Sequence, residues 1–204
     1  MRRILSFIAA TTLLLSATGA LAAAGTATDV VRNTASQVLQ RIKAEKELLN
    51  QHPEKVYDLV NELVIPHFDF TSMSKWVLGK NWRDATDDQR LQFTDEFRTL
   101  LVRTYAKALL EYSDQEIKYL DEMSSTNSNL VVVKTEITQS GSNPIPINYR
   151  MHVSGGDWKV IDVAVDGVSL VSTYRGEFAS HIRKNGIGNL IVRLAERNSQ
   201  SLQP

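Results

Sequence analysis

The sequence contains no cysteine among its 204 residues. Disulfide bonds, thiolate metal ligands and cysteine nucleophiles are therefore all excluded. A chain without such cross-links depends on its hydrophobic core for stability, and a chain of this length buries enough apolar surface to form one. The absence of cysteine thus favours one ordinary globular domain over a small disulfide-rich scaffold.

The chain also lacks an excess of charge of either sign. It has 23 lysine and arginine residues against 23 aspartate and glutamate residues. The first 24 residues, which we predict below to be a cleaved signal peptide, include Arg2 and Arg3. Without them, 21 basic residues remain against 23 acidic ones. Nucleic-acid-binding domains and polybasic membrane-binding segments carry clustered positive charge, and the sequence has no such cluster. We therefore expect no nucleic-acid partner.

The motifs of common catalytic and metal sites are missing as well. The four histidines are scattered singly along the chain, so we predict no metal site. Residues 167–171, GVSLV, match the serine-hydrolase motif only in part because its second glycine is absent. No glycine-rich phosphate loop occurs, since Gly155-Gly156 is typical of a hairpin turn. These absences argue against an enzyme.

Asp162 and Asp166 are the carboxylates best placed to serve a reaction, because residues four apart on a strand share a face. On an inner face, burial would raise the pKa of such a carboxyl group and make it a possible general base. The alternative is that both line the solvent face while Ile161, Val163 and Val165 point inward. We favour this second interpretation and predict a protein without enzymatic activity.

The first 24 residues have the organisation of a cleaved secretory signal peptide. Arg2-Arg3 precedes an apolar run over residues 4–15, and small residues follow up to Ala24. The run is shorter than the roughly 20 residues that span a bilayer. We predict a signal peptide at 1–24, a single domain at 25–198 and a flexible tail at 199–204; an uncleaved anchor is the alternative.

Helical spacing of apolar residues dominates the first half of the predicted domain. It predicts helices over 29–49, from His52-Pro53 to Pro66, and over 69–78. A capping box formed by Thr86 and Gln89 starts the next helix, which we extend to Tyr112. Its apolar residues spread over about 200° at about 100° per residue, so this helix must contact apolar material on two sides.

After Ser113 the apolar residues alternate with polar ones. This pattern predicts strands over 116–123, 130–138, 145–153 and 158–165, and the short polar turns between them predict an antiparallel meander with one apolar face. Two further helices are predicted over 172–184 and 189–197. The predicted fold class is α+β, with a four-stranded antiparallel sheet covered by N- and C-terminal helices.

Three ordered segments resemble the MlaC family, the periplasmic phospholipid-binding proteins also known as toluene-tolerance auxiliary components. They are KWVLGKNWRDATDDQRLQFTDEFRTLLVRTYAKALLEY, WKVIDVAVDGVSLVSTYRGEF and IRKNGIGNLIVRL. The resemblance extends over residues 30–194. It implies a curved sheet like those of nuclear-transport-factor and cystatin folds, with helices around an internal apolar cavity.

The resemblance also implies a function. A protein of this family is a monomeric periplasmic carrier that shuttles glycerophospholipid between two membrane complexes and so maintains the lipid asymmetry of the outer membrane. The partners are an outer-membrane lipoprotein–porin complex and an inner-membrane ABC transporter with a hexameric lipid-binding ring protein. The lipid is cargo, and no cofactor is expected. The alternative function is a nuclear-transport-factor-like enzyme with Asp162 or Asp166 in an apolar pocket.

The apolar residues of the predicted helices and strands supply the wall of the implied cavity. We expect the phosphate head of the lipid to lie near solvent, with Arg175 or Arg83 as its neighbours. The predicted acyl-chain contacts are Val60, Val64, Phe93, Phe97, Leu101, Tyr105, Leu109, Val131, Val133, Tyr149, Met151, Val163, Val168, Leu170 and Phe178.

Overall fold

The structure is a computed structural model that describes residues 25–111, 115–120, 123–124, 129–139 and 141–200. The predicted signal peptide, Tyr112 and residues 201–204 lie outside this part of the chain. Seven α-helices occur in the described part: α1 (Ala27–Ala44), α2 (Lys46–Gln51), α3 (Lys55–Leu63), α4 (Phe70–Leu78), α5 (Asn81–Asp84), α6 (Asp87–Tyr105) and α7 (Leu170–Gln200).

Local signals account for most helix starts. The predicted capping box at α6 is present, with the Thr86 side chain accepting from the Gln89 backbone and the Gln89 side chain accepting from the Thr86 backbone. Asp69 caps α4 by accepting from the Ser72 backbone N–H, and Gly79 ends that helix with φ of 55°. Side-chain oxygens at these positions satisfy N–H groups that the first helical turn leaves without partners.

Two predicted helices were too long. The helix predicted over 29–49 is divided at Glu45 into α1 and α2, and Ile42 and Leu49 on either side of the break are buried in the same apolar cluster. The helix predicted to reach Tyr112 leaves α geometry at Ala106 and continues as a 3₁₀ helix, Ala106–Glu111. No glycine or proline marks either position, so packing decides both.

The predicted antiparallel meander is confirmed. Strands β3 (Leu130–Thr138), β4 (Ile145–Ser154) and β5 (Asp157–Val165) pair in sequence order, and β1 (Glu116–Tyr119) pairs with the other edge of β3. Met123, the last residue of the predicted first strand, belongs to β2 (Met123–Ser124), which also pairs with β3, and residues 121–122 lie outside the described part. A further two-residue strand, β6 (Val168–Ser169), pairs with the end of β5.

The last helix, α7, is bent at Gly186, whose φ of 79° and ψ of 164° lie outside the helical range. Glycine tolerates such a positive φ because it has no Cβ. The predicted break between two C-terminal helices is therefore present as a sharp bend. Ser199 and Gln200, which the sequence places in the tail, belong to α7.

Buried apolar side chains form three clusters. The helical cluster joins α4, α6 and α7 and consists of Phe70, Met73, Val77, Leu78, Phe93, Phe97, Leu100, Leu101, Val171, Tyr174, Phe178, Leu190, Ile191 and Leu194. The N-terminal cluster consists of Val38, Ile42, Leu49, Val56, Leu59, Val60, Val102 and Ala106. The sheet cluster consists of Ala27, Val31, Val131, Val133, Met151 and Val160.

Helix α6 lies between two of these clusters. Phe93, Phe97 and Leu101 belong to the helical cluster, whereas Val102 on the other side of the helix belongs to the N-terminal cluster. The wide apolar arc in the sequence is thereby explained, because the helix buries both sides. Among the described residues, no helix has the length and apolarity needed to cross a membrane.

Candidate functional site

Strand pairing divides the apolar face of the sheet into rows across β3, β4 and β5. Residues directly paired in antiparallel strands point to the same face. The first row is Val131, Met151 and Val160; the second is Val133, Tyr149 and Val163; the third is Thr135, Ile147 and Val165, which Val168 of β6 extends.

Exposure is greatest at the β5 and β6 end of the third row, although Thr135 on β3 in the same row is 1% exposed. Met151 in the first row and Val133 in the second are 0% exposed, whereas Val165 is 38% and Val168 is 58% exposed. Ile145, beyond the third row, is 47% exposed. We call Ile145, Ile147, Val165 and Val168 the open edge of the sheet. It is an apolar surface beside rows that contain the fully buried Met151 and Val133.

The fifteen predicted acyl-chain contacts divide among the three clusters instead of lining one wall. Tyr105, Val168 and Leu170 lie outside the clusters. The helical cluster contains Phe93, Phe97, Leu101 and Phe178; the N-terminal cluster contains Val60, with Val64 and Leu109 packed against it; the sheet cluster contains Val131, Val133 and Met151, with Tyr149 and Val163 packed against it.

Burial separates twelve of these residues into two groups, and Val60, Leu101 and Val131 lie between them at 5–7% exposure. A side chain that lines an open hollow keeps surface that water can reach, whereas a close-packed one does not. Exposure is at most 1% for Phe93, Phe97, Val133, Met151 and Phe178, so these five are packed on all sides. The residues that remain half-buried or exposed are Val64, Tyr105, Leu109, Tyr149, Val163, Val168 and Leu170.

Tyrosine hydroxyls lie within this apolar region. Burial raises the pKa of Tyr149 to about 12, although a hydrogen bond with Thr135 opposes this effect. Burial also raises the pKa of Tyr174 to about 12, and its hydrogen bond with Tyr105 acts in the same direction. Both phenols are therefore neutral at physiological pH and supply hydrogen-bonding groups on otherwise apolar surfaces.

Ile65 and Phe68 connect the clusters, and sequence reasoning missed both. Ile65 packs against the helical and N-terminal clusters, and Phe68 against the helical and sheet clusters. Phe68 also forms a parallel bridge with Val160 on the edge of β5. A pocket of about 410 Å³ opens here and is lined by Ile65, Phe68, Asp69, Phe70, Thr71, Thr94, Asp95, Arg98, Ser154 and Lys159.

Polar contacts hold this junction onto the sheet. His152 Nε2 lies 2.9 Å from Asp69 Oδ2, and Lys159 Nζ donates to the Pro66 carbonyl at 2.9 Å. Burial would raise the pKa of the Asp69 carboxyl, but hydrogen bonds from Ser72 and His152 outweigh burial and lower it. Asp69 thus remains ionised and links the start of α4 to β4.

His67 makes the stability of this junction depend on pH. Burial lowers the pKa of His67 from its usual 6.5, the Lys159 charge lowers it further, and Asp157 opposes both effects. The folded protein therefore binds this proton less readily than the unfolded chain. We expect the free energy of unfolding to hold its full value above pH 6.5 and to decrease below it. Denaturant titrations at pH 7.5 and 5.5 measure the difference in the free energy of unfolding between these conditions. This difference should be smaller in His67→Gln. An unchanged difference in that variant would contradict its assignment to His67.

Asp162 is buried, which corrects the prediction that it lines the solvent face. Its Oδ2 accepts from Ser169 Oγ at 2.7 Å, and its Oδ1 accepts from the Val171 backbone N–H at 3.1 Å. Ser169 Oγ in turn accepts from the Ser172 backbone N–H at 3.0 Å. Asp162 and Ser169 thus cap the N-terminus of α7, and both oxygens of the Asp162 carboxylate accept hydrogen bonds. Asp166 is exposed in the following turn, with φ of 49°.

Arg175 and Arg83 were the predicted neighbours of the lipid phosphate. They lie on helices α7 and α5 and not on the open edge of the sheet. The Arg175 guanidinium packs on Gly79 at the end of α4, 3.3 Å from the position that a Cβ would occupy there. Arg83 is exposed on the short helix α5. Within the described residues, no group of three histidine, aspartate or glutamate side chains is arranged to hold a metal ion.

Comparison with known proteins identifies the family. The family model described as MlaC protein matches residues 32–196. The chain belongs to the MlaC family. A MlaC relative from Pseudomonas putida, the toluene tolerance protein ttg2D, is 32% identical over 165 residues, which cover 80% of this chain and 76% of the relative.

Two further comparisons extend this result. The intermembrane phospholipid transport system binding protein MlaC of Haemophilus influenzae is 28% identical over 176 residues, covering 85% of this chain and 82% of that protein. The solved structure of a phospholipid-binding protein from Ralstonia solanacearum, in complex with a phospholipid, matches with a TM-score of 0.80 and 33% identity. That match covers 88% of this chain and 100% of the other.

Proposed function

We propose that this protein binds the acyl chains of a glycerophospholipid and carries the lipid across the periplasm. The observation that supports this most strongly is the Ralstonia solanacearum relative, which was solved with a phospholipid bound and shares the fold over 88% of this chain. A sequence identity of 33% over that length makes a common binding mode the simplest expectation.

The energetic requirement for such a carrier is large. Two sixteen-carbon tails expose about 30 methylene groups, and leaving them in water costs on the order of 20 kcal/mol at about 0.8 kcal/mol each. The protein must replace most of this loss with apolar contacts. A binding free energy close to that of the membrane keeps loading and unloading nearly balanced, and no catalytic group is required.

The open edge of the sheet is the surface we assign to the acyl chains. Ile147, Val165 and Val168 present apolar side chains that the described elements leave partly uncovered. Tyr149 and Val163 continue this surface toward the sheet cluster. Hydrocarbon laid on these residues would bury apolar surface that the described elements leave exposed.

The route of the lipid belongs to the same proposal. The Haemophilus influenzae relative is a component of an intermembrane phospholipid transport system. We infer that this protein is likewise exported to the periplasm by its first 24 residues. We further infer that it exchanges lipid with an outer-membrane lipoprotein–porin complex and an inner-membrane ABC transporter that has a hexameric ring protein. Such exchange would maintain outer-membrane lipid asymmetry.

Neighbouring residues on β4 provide a matched test. Ile147 pairs with Thr135 on the apolar face, and Asn148 pairs with Lys134 on the opposite face. In Ile147→Asp, a carboxylate meets the hydrocarbon, so we expect phospholipid in the extract of natively purified protein to decrease at least about tenfold. Asn148→Asp adds the same charge to the other face and should leave the lipid content unchanged. Organic extraction followed by mass spectrometry measures the molar ratio of lipid to protein.

Three outcomes would count against the proposal. A lipid-free extract from the wild-type protein would favour a module with a filled core. Equal loss in both variants would attribute the effect to charge alone. Full lipid content in Ile147→Asp would exclude the open edge as the contact surface. Circular dichroism of each variant establishes that the fold is retained.

A further inference from the structure

The bend in α7 creates a second site that the acyl-chain function does not use. His181 and Arg193 are twelve residues apart, and a straight helix would separate them by about 18 Å along its axis. Because the helix turns back at Gly186, Arg193 Nη1 lies 3.3 Å from His181 Nδ1. The two arms, residues 170–185 and 187–200, therefore face each other across a groove.

The groove has the size of a small-molecule site. Its volume is about 470 Å³. Both arms contribute polar side chains to its wall, and three apolar side chains form its floor. The lining residues are Glu177, Phe178, Ser180, His181, Lys184, Asn185, Leu190, Arg193, Leu194 and Arg197.

Positive charge dominates this groove. Lys184 lies on the first arm, and Arg193 and Arg197 lie on the second, whereas Glu177 is the single carboxylate in the lining. Lys184 and Arg193 alone already outnumber this carboxylate. Within the described part of the chain, neither Lys184 nor Arg193 forms an ion pair with a carboxylate. This local excess contrasts with the balanced charge of the whole chain.

Hydrogen bonds orient the cationic groups. A guanidinium can only donate, so His181 Nδ1 accepts the hydrogen bond from Arg193 and carries no proton. His181 Nε2 then carries the imidazole proton and donates it to Asn189 Oδ1 at 2.9 Å. His181 thus links Asn189 to Arg193 and orients the guanidinium. The other N–H groups of the Arg193 guanidinium remain available to a ligand.

Both arms are held by buried contacts, so the groove exists before any ligand arrives. Phe178 on the first arm and Leu190 and Leu194 on the second belong to the helical cluster and are at most 3% exposed. Asn198 near the end of the second arm donates to the Glu96 carbonyl of α6 at 3.0 Å. A ligand would not have to order these elements, which lowers the entropy cost of binding.

We propose that the groove between the arms of α7 binds a phosphate group. A tetrahedral phosphate presents several oxygens to donors on two sides, and arginine and lysine are the side chains that proteins use to bind it. A phosphate offers more acceptor oxygens than a carboxylate, so it suits donors on both arms better. The phosphate can belong to a phospholipid head group or to free inorganic phosphate, which share this chemistry.

Titration with two probes tests the site and distinguishes the two sources of the phosphate group. The probes are inorganic phosphate and dihexanoyl-phosphatidylglycerol below its micelle concentration, both added at constant ionic strength. The imidazole signals of His181, observed by nuclear magnetic resonance, report on the groove directly. We expect saturable shifts with at least one probe. Tighter binding of the short-chain lipid identifies a head-group site, whereas equal or tighter binding of inorganic phosphate identifies a site for the free ion.

Three charge-removing variants provide the comparison. Arg193→Gln and Lys184→Gln each remove one cation from the groove and should weaken binding about tenfold, the effect of losing one charge-assisted hydrogen bond. Arg183→Gln removes the neighbouring exposed cation, which does not line the groove, and should change affinity less than twofold. Lys184 is exposed, so its variant keeps the test valid if Arg193→Gln does not fold.

The site stands independently of the acyl-chain surface. Ile147→Asp should lower the lipid content at least about tenfold and leave the phosphate titration of His181 unchanged, because Ile147 does not line the groove. No saturable shift with either probe would overturn the phosphate site, and so would equal weakening by Arg183→Gln and Arg193→Gln. A saturable phosphate titration together with a lipid-free extract from the natively purified wild-type protein would instead contradict the carrier function alone.

Discussion

Phe97→Ala is expected to lower the free energy of unfolding by about 3–5 kcal/mol, the range for removal of a fully buried aromatic side chain. Phe97 is 0% exposed and lies where α6 meets α7. Its ring centroid is 5.7 Å from that of Phe93, 5.4 Å from that of Tyr174 and 6.2 Å from that of Phe178. Alanine would leave a cavity at the centre of this group, because the partners are attached to two rigid helices. Equilibrium denaturation in urea measures the loss.

Leu91→Ala is the matched control on the same helix. Leu91 is 66% exposed, so its truncation removes little buried surface and should change the free energy of unfolding by less than about 0.5 kcal/mol. A loss below about 1 kcal/mol for Phe97→Ala would mean that the aromatic group repacks and that the helical cluster is loosely packed. The helical cluster would then again be a candidate binding site for acyl chains.

Asp162→Ala should have the second largest effect, a loss of about 2–3 kcal/mol. The substitution leaves the Val171 N–H and the Ser169 hydroxyl without their shared partner in a buried environment, and each unmade hydrogen bond of this kind costs about 1–3 kcal/mol. The first turn of α7 should fray, and hydrogen exchange at Val171 should accelerate. Thermal or urea unfolding, together with exchange rates for this amide, measures both effects.

Asp166→Asn is the control for this prediction. Asp166 is exposed and has a positive φ of 49°, a conformation that asparagine adopts readily, so its stability should change by less than about 0.5 kcal/mol. Equal stability of Asp162→Ala and the wild type would show that water replaces the cap. That outcome would also revive the alternative that Asp162 is a functional acid in a solvated pocket.

Patterns within short segments predicted much of the fold. The capping box at Thr86 and Gln89 located the start of α6, and strict alternation predicted β3 with the bounds that it has. Caps and alternation act through neighbours in the chain, so the residues that decide them are visible in the sequence. The α+β order followed from the same local signals, whereas the MlaC family was indicated by the resemblance of three ordered segments.

Patterns of this kind failed where distant segments decide the outcome. Alternation correctly placed Asp162 on the face opposite Val163, but the start of α7 covers that position and buries the carboxylate. The break at Glu45 and the change of geometry at Ala106 have no breaker residue, and each serves packing in the N-terminal cluster. Ile65 and Phe68 were missed because their importance comes from touching two clusters each.

The sequence by itself determined the order of helices and strands, the apolar face of each, and the family. Tertiary structure alone decided which apolar residues close into a core and which remain open, as the contrast between Val133 at 0% and Val168 at 58% exposure shows. It also decided that cations from two arms of α7 share one groove. The physical reason is that sequence periodicity indicates which face of its own helix or strand a side chain occupies. Burial and local charge density depend instead on which other elements pack against that face.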